Sequence, residues 1–288
     1  MKTPVETPDL PSVDRVAEQT RAVARETQPW VVRLGRFGIA AKGLVYGIMG
    51  VLAVQVALGS GGETTDPQGA LHVLGDTVGR LLLVLLVVGL AAYALWRCVQ
   101  AALDTEGTGT DAKGLLTRGS FVASGAGYAA LALAALRLAL GSGGASGDDS
   151  TREWTAWLLA LPLGQALVAI VAVVVIGIGL HQVYQAYTAD FRDELQLGEL
   201  RGDQATWVTR LGRLGHAARG VVFAIVGSFL LAAAWRSDSE EAGGVGDALD
   251  TLARQPFGPW LLGIVALGLL AYGAYMLVEA RFRRMTLG

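Results

Sequence analysis

Lys42 and Arg219 most need a chemical account, because each lies inside an apolar stretch, where a charge is costly and is usually paired. Glu279 falls at similar depth on an adjacent stretch, and Gln100 and Gln185 take matching places in the other copies of the pattern described below. The pairing this suggests is Arg219 with Glu279, either locking a hairpin or serving as a gate or substrate site. Arg36, Arg118 and Arg213 stand just ahead of three apolar stretches. Long side chains there can snorkel to lipid phosphates as anchors. They can equally form a symmetric ring for an anionic headgroup or solute, since a guanidinium binds phosphate through a planar fork. His181, beside Gln182, Tyr184 and Gln185, reads as a hydrogen-bonded structural histidine or as a proton relay.

Other chemistry lacks its residues. The chain has no Gly-x-Ser-x-Gly elbow, no phosphate-binding loop and no His-Glu-x-x-His. The acidic residues lie almost all in loops, so no acid–base pair stands at membrane depth and the chain reads as a non-enzyme without a cofactor. The single cysteine, Cys98, excludes an intrachain disulfide and a multi-cysteine metal site. His72 and His216 fall on opposite membrane sides, so three histidines cannot meet on a metal within one chain. A net charge of -2 argues against nucleic acid as a partner.

The elements that must position these residues are membrane helices. Charged residues make up 17% of the chain and hydrophobic ones 52%, against roughly 25% charged in soluble domains. A bilayer core needs about 20 apolar residues in a helix. Six stretches qualify: 39–58, 81–101, 121–140, 163–184, 217–235 and 260–280. Pro162 and Pro259 stand at the starts of the fourth and sixth, where proline is tolerated. Eighteen of the 23 lysines and arginines fall on the side carrying both termini, which predicts cytoplasmic termini in a plasma membrane. Tyr93, Trp96, Tyr272 and Tyr275 read as interfacial aromatics near helix ends. Residues 1–29 are polar, lack a signal-peptide core and read as a cytoplasmic extension, with a weak helical stripe from Ser12.

An internal repeat is the most specific signal. Three segments begin Arg36, Arg118 and Arg213, carry Gly43, Gly125 and Gly220 seven residues on, and place Tyr46, Tyr128 and Phe223 three further. Residues seven apart share a helix face. The even-numbered stretches agree, opening with Gly79, Gly164 and Gly258 and carrying Gln100, Gln185 and Glu279 near their ends. Each repeat is a two-helix hairpin, so the copies run parallel: 30–106, 107–195 and 196–288 after the extension, with a pseudo-threefold bundle as the suggested closure. The glycines read mainly as close-packing positions of the small-xxx-small kind. This pattern resembles a bacterial, chiefly actinobacterial, family of integral membrane proteins catalogued as a domain of unknown function, the 1206 family. The resemblance implies a plasma-membrane protein and supplies no substrate or catalytic residue. In repeat two Ser124 stands where the others have Lys42 and Arg219, which weakens any role needing three basic groups.

The reading is an all-helical, non-enzymatic membrane protein whose partners are the bilayer, anionic headgroups, another membrane protein or a second copy. The alternative is a small transporter or channel along the pseudo-threefold axis. Such a protein needs polar groups near the midplane, and Gln55 and Ser228 are the main midspan polar residues visible in the sequence.

Overall fold

Six long helices follow from six apolar runs, because a backbone in lipid must satisfy its own hydrogen bonds. A computed structural model describes residues 13–60, 64–78, 80–103, 111–141, 147–195 and 202–283. Nine α-helices occur among the described residues: α1 (Val13–Ala57), α2 (Pro67–Val78), α3 (Arg80–Leu103), α4 (Ala112–Ala139), α5 (Gly147–Leu159), α6 (Gly164–Thr188), α7 (Gly202–Arg236), α8 (Val245–Ala253) and α9 (Gly258–Phe282). Helices α1, α3, α4, α6, α7 and α9 are long and apolar enough to cross a membrane. The remaining three are short and lie between the spans of each repeat, on the side away from the termini. The sequence alone marks no helix in these connections. Gly, Pro and Ser lead-ins hide amphipathic runs of only 9 to 13 residues.

The expected boundary between the extension and the first span is not a break in structure. Helix α1 runs unbroken from Val13, so the first span continues the helix of the extension. Residues 1–12 and Gly79 lie outside the described residues. The other two opening glycines have a steric reason. A Cβ on Gly164 would lie 2.4 Å from the Leu158 carbonyl oxygen, and one on Gly258 1.9 Å from that of Ala253. The residue before each, Leu163 and Phe257, takes a left-handed conformation to turn the chain into the span.

Contacts between repeats join the three in a cycle. Each odd span packs on the even span of the preceding repeat: α4 on α3, α7 on α6 and α1 on α9. The last of these joins the ends of the chain. The repeat glycines sit in these interfaces. A Cβ on Gly125 would approach the Ala94 carbonyl oxygen at 3.2 Å, one on Gly220 that of Gly179 at 2.7 Å, and one on Gly43 that of Gly273 at 2.9 Å. Ala94, Gly179 and Gly273 are themselves repeat equivalents, so one small-on-small contact is used three times.

Within repeats the symmetry fails. Helix α1 packs on α3 and α7 on α9, whereas α4 and α6 do not pack on each other. In repeats one and three a glycine on each helix admits the other: Gly38 receives Tyr93 and Gly89 receives Ala41, while Gly215 receives Tyr272 and Gly268 receives Ala218. The corresponding residues of repeat two are Ser120, Ile178, Val174 and Ala123. Both contact glycines are lost, and with them the close approach. Accordingly 28% of the α4 span and 22% of the α6 span are buried, against 44% or more of each other span.

The interface glycines are testable by contrast. Gly220→Ala puts a Cβ 2.6 Å from the Val183 Cγ2 and should cost about 1–3 kcal/mol. Gly127, whose Cβ would meet nothing within 4 Å, should accept alanine with no loss or a gain of up to about 1 kcal/mol. Thermal unfolding of the two variants in detergent reads the difference; equal effects would show that close approach at Gly220 is not a stabilising contact.

Candidate functional site

Four tyrosines and two cations meet where the three repeats converge. Tyr46, Tyr93, Tyr128 and Tyr272 each lie within about two residues of the midpoint of their spans, and Lys42 and Arg219 within about three. The Lys42 Nζ donates to the Tyr93 hydroxyl at 3.3 Å. It also stands over the rings of Tyr93, Tyr128 and Tyr272 at 5.1, 5.5 and 5.5 Å. Arg219 Nη1 donates to the Tyr272 hydroxyl at 2.7 Å. Its guanidinium lies 4.5 Å from the centre of that ring, 5.1 Å from Tyr46 and 5.0 Å from Phe223. Edge-to-face pairs, Tyr46 on Tyr272 and Tyr93 on Tyr128, hold the rings in place. The repeat-equivalent aromatics thus surround the repeat-equivalent cations, with Ser124 as the uncharged third.

The expected Arg219–Glu279 pair does not form. Glu279 is buried and accepts from Arg283, which also pairs with Glu194 at 3.0 Å. The reason is depth. Antiparallel packing sets Gly215 against Tyr272, and Glu279 lies seven residues beyond Tyr272, about 10 Å further along the helix. Gln100 is buried and accepts from Arg97 at 3.1 Å, while Gln185 is half-buried.

The same register corrects the reading of four aromatics. Tyr93, Trp96, Tyr272 and Tyr275 are buried, not interfacial. Gln55 and Ser228, the polar residues expected at midspan, are both exposed, and Ser228 bonds back to the Ile225 carbonyl. The midspan polarity comes instead from tyrosine hydroxyls and the two cations.

The three arginines do not converge. Arg118 donates to the carbonyls of Ala101 and Ala102 at 2.7 and 3.4 Å, and Arg213 to that of Tyr187 at 3.3 Å. Each therefore caps the last turn of the preceding repeat's even helix, where a cation is favoured. Arg36 is exposed. His181 is exposed and stacks on Tyr184, away from the centre. The histidine that matters structurally is His216, which sequence reasoning used only to dismiss a metal. It is buried, bonds to Gln182 through Nδ1, and stacks on Phe191 at 5.1 Å. Its equivalence to Phe121, which lies 5.1 Å from Arg97, was the available signal, because Gln182 and Arg97 are also equivalents. Among the described residues no cluster of His, Cys, Asp or Glu could hold a metal.

These threefold contacts have a counterpart in comparison with known proteins. The family described as Domain of Unknown Function (DUF1206) matches three times, over residues 37–104, 119–189 and 214–283. The chain belongs to that family. Each DUF1206 match contains two spans and one short far-side helix. A Bacillus subtilis (strain 168) protein, "Uncharacterized protein YxxB", is 36% identical over 265 residues, covering 92% of this chain and 95% of its own. No solved structure matches.

On the far side the short helices of the DUF1206 repeats are tied by aspartates. Asp66 accepts from the Gly69 amide at 2.7 Å and lies against Gly147 at the start of α5. Asp148 of α5 accepts from the Gly246 amide at the start of α8, 3.2 Å away. Arg152 of α5 reaches Asp247 of α8 at 2.7 Å. Burial, and then the charges of Asp247 and Asp66, push Asp148 up to about 6. Burial also raises Asp66, against the pull of nearby amides. A carboxyl raised in the folded state destabilises once ionised. The penalty is absent below the ordinary carboxylate range and complete above about 6. Amide protection of α5 and α8, corrected for intrinsic exchange, should therefore be higher at pH 5 than at pH 7.5. Asp148→Asn should flatten most of that dependence. Wild-type protection independent of pH would show that the aspartates are not buried in this way.

Proposed function

We propose that this chain is a non-enzymatic membrane protein whose bundle binds a small anionic group at midspan. One observation carries the reading: Lys42 and Arg219 share the ring of Tyr272 and meet only hydroxyls and aromatic faces in the contacts described. Cation–π contacts of about 2 kcal/mol each do not offset two charges held in a low dielectric. A bound anion would. Arg219, Tyr46, Tyr128 and Phe223 are half-buried, which leaves them within reach of such a group. Tyrosine hydroxyls and a guanidinium are donors suited to phosphate or carboxylate.

Transport is a second reading, favoured by the depth of the cluster and its place where repeats meet. The excess of basic residues on the terminal side supports cytoplasmic termini in a bacterial plasma membrane.

The test is thermal unfolding of the purified protein in detergent at constant ionic strength, with inorganic phosphate or chloride replaced by a bulky organic anion. Phosphate or chloride should raise the midpoint. Lys42→Met and Arg219→Met should each remove that response while stabilising the anion-free protein, by about 1–4 kcal/mol where an unpaired buried charge is replaced by packing. No anion response, with both variants merely less stable, would leave a packed structural centre and defeat the proposal. Flux of the stabilising anion in liposomes separates transport from binding.

A further inference from the structure

The ring that surrounds the midspan cluster is open on one side. In repeats one and three the residues that seal the hairpin are buried: Gly38, Ala41 and Val45 against Leu86, Gly89 and Tyr93, with the equivalent residues of α7 and α9 alike. The same six places in repeat two are Ser120, Ala123 and Gly127 of α4 and Val171, Val174 and Ile178 of α6. All six are exposed. A helix face that is buried in two copies and exposed in the third is a missing contact and not an ordinary lipid-facing surface. Its walls are small or apolar, with Ser120 at the terminal-side end. The opening lies beside the cluster, since Tyr128 follows Gly127 directly and carries Lys42 over its ring at 5.5 Å.

The geometry points to a lateral slot between α4 and α6 that admits an anionic membrane lipid, its tails between the two helices and its headgroup oxygens at Arg219 and Lys42. This rests on the anion-binding reading above and adds the ligand class and the route. Charge complementarity selects the occupant. Hydrocarbon walls suit acyl chains, and the inner end offers two cations with no carboxylate in their described contacts, so an amphiphile with a negative head matches both surfaces. A zwitterionic lipid brings the same phosphate, but its ammonium group would enter beside two cations with no carboxylate in their described contacts. A second copy of this chain would bring further apolar helix against the walls and nothing for the cations.

The asymmetry also supplies the variant. Ser120→Gly, Val174→Gly and Ile178→Tyr together restore to repeat two the packing residues of its sister repeats and should zip the slot shut. The reading is native mass spectrometry of full-length protein from micelles doped with equal phosphatidylglycerol and phosphatidylcholine. The wild type should retain phosphatidylglycerol over phosphatidylcholine, and both the zipped triple variant and Arg219→Met should lower that retention, each by roughly tenfold or more. Should the triple variant not fold, Ala123→Cys/Val174→Cys in a Cys98→Ser background, bridged by a short bis-maleimide, closes the slot after folding.

Loss of phosphatidylglycerol in Arg219→Met but not in the closed proteins would overturn the lateral route. A phosphate response without lipid preference would overturn the lipid while leaving the anion site standing. Absence of both would remove the two readings together. A dimer that the zipping substitutions convert to monomer, with no lipid preference, would assign the slot to a second copy and overturn the proposal.

Discussion

Close approach of helix backbones is the constraint on which the rest of this bundle depends. Hydrocarbon tails are as apolar as leucine, so helices in lipid gain little from burying apolar surface and associate through van der Waals contact. That contact needs small residues. Gly43 on Gly273, Gly125 on Ala94 and Gly220 on Gly179 are one solution used three times, and the first of them brings the last span back to the first. The capping of α3 and α6 by Arg118 and Arg213 acts across the same interfaces, so packing and helix-end electrostatics agree on which helices are neighbours.

Closing the ring places the odd-helix positions of the three repeats around a shared centre, and that creates the electrostatic problem the structure leaves open. Lys42 and Arg219 are brought together with tyrosines as their partners, while Glu279 is held near the terminal side by Arg283. Evolution could have supplied a neutral residue at both places, as Ser124 shows. Two cations at midspan cost stability where only hydroxyls and aromatic faces meet them.

Repeat two departs from its sister repeats at several positions of one contact. The cation, both contact glycines and the tyrosine that enters the first of them are replaced, by Ser124, Ser120, Val174 and Ile178. Helices α4 and α6 consequently stand apart within their own repeat while each remains packed on its neighbour from another. One side of the ring is open while the contacts between repeats are kept.

Much of this architecture was legible in the sequence. Six spans, their grouping into three parallel hairpins and the equivalence of Gly43, Gly125 and Gly220 follow from hydrophobic runs and a seven-residue spacing, because in lipid the helix is the only local solution and its period is known. What the sequence could not state was register between helices. Whether Glu279 or Tyr272 stands level with Arg219, whether Tyr93 and Tyr275 face the interface or the core, and which helix each repeat glycine meets all depend on how antiparallel helices slide and turn against one another. Those are decided by contacts summed over distant residues. The difference between a hairpin and a ring of interlocked neighbours, and the single gap in that ring, therefore belong to the tertiary structure alone.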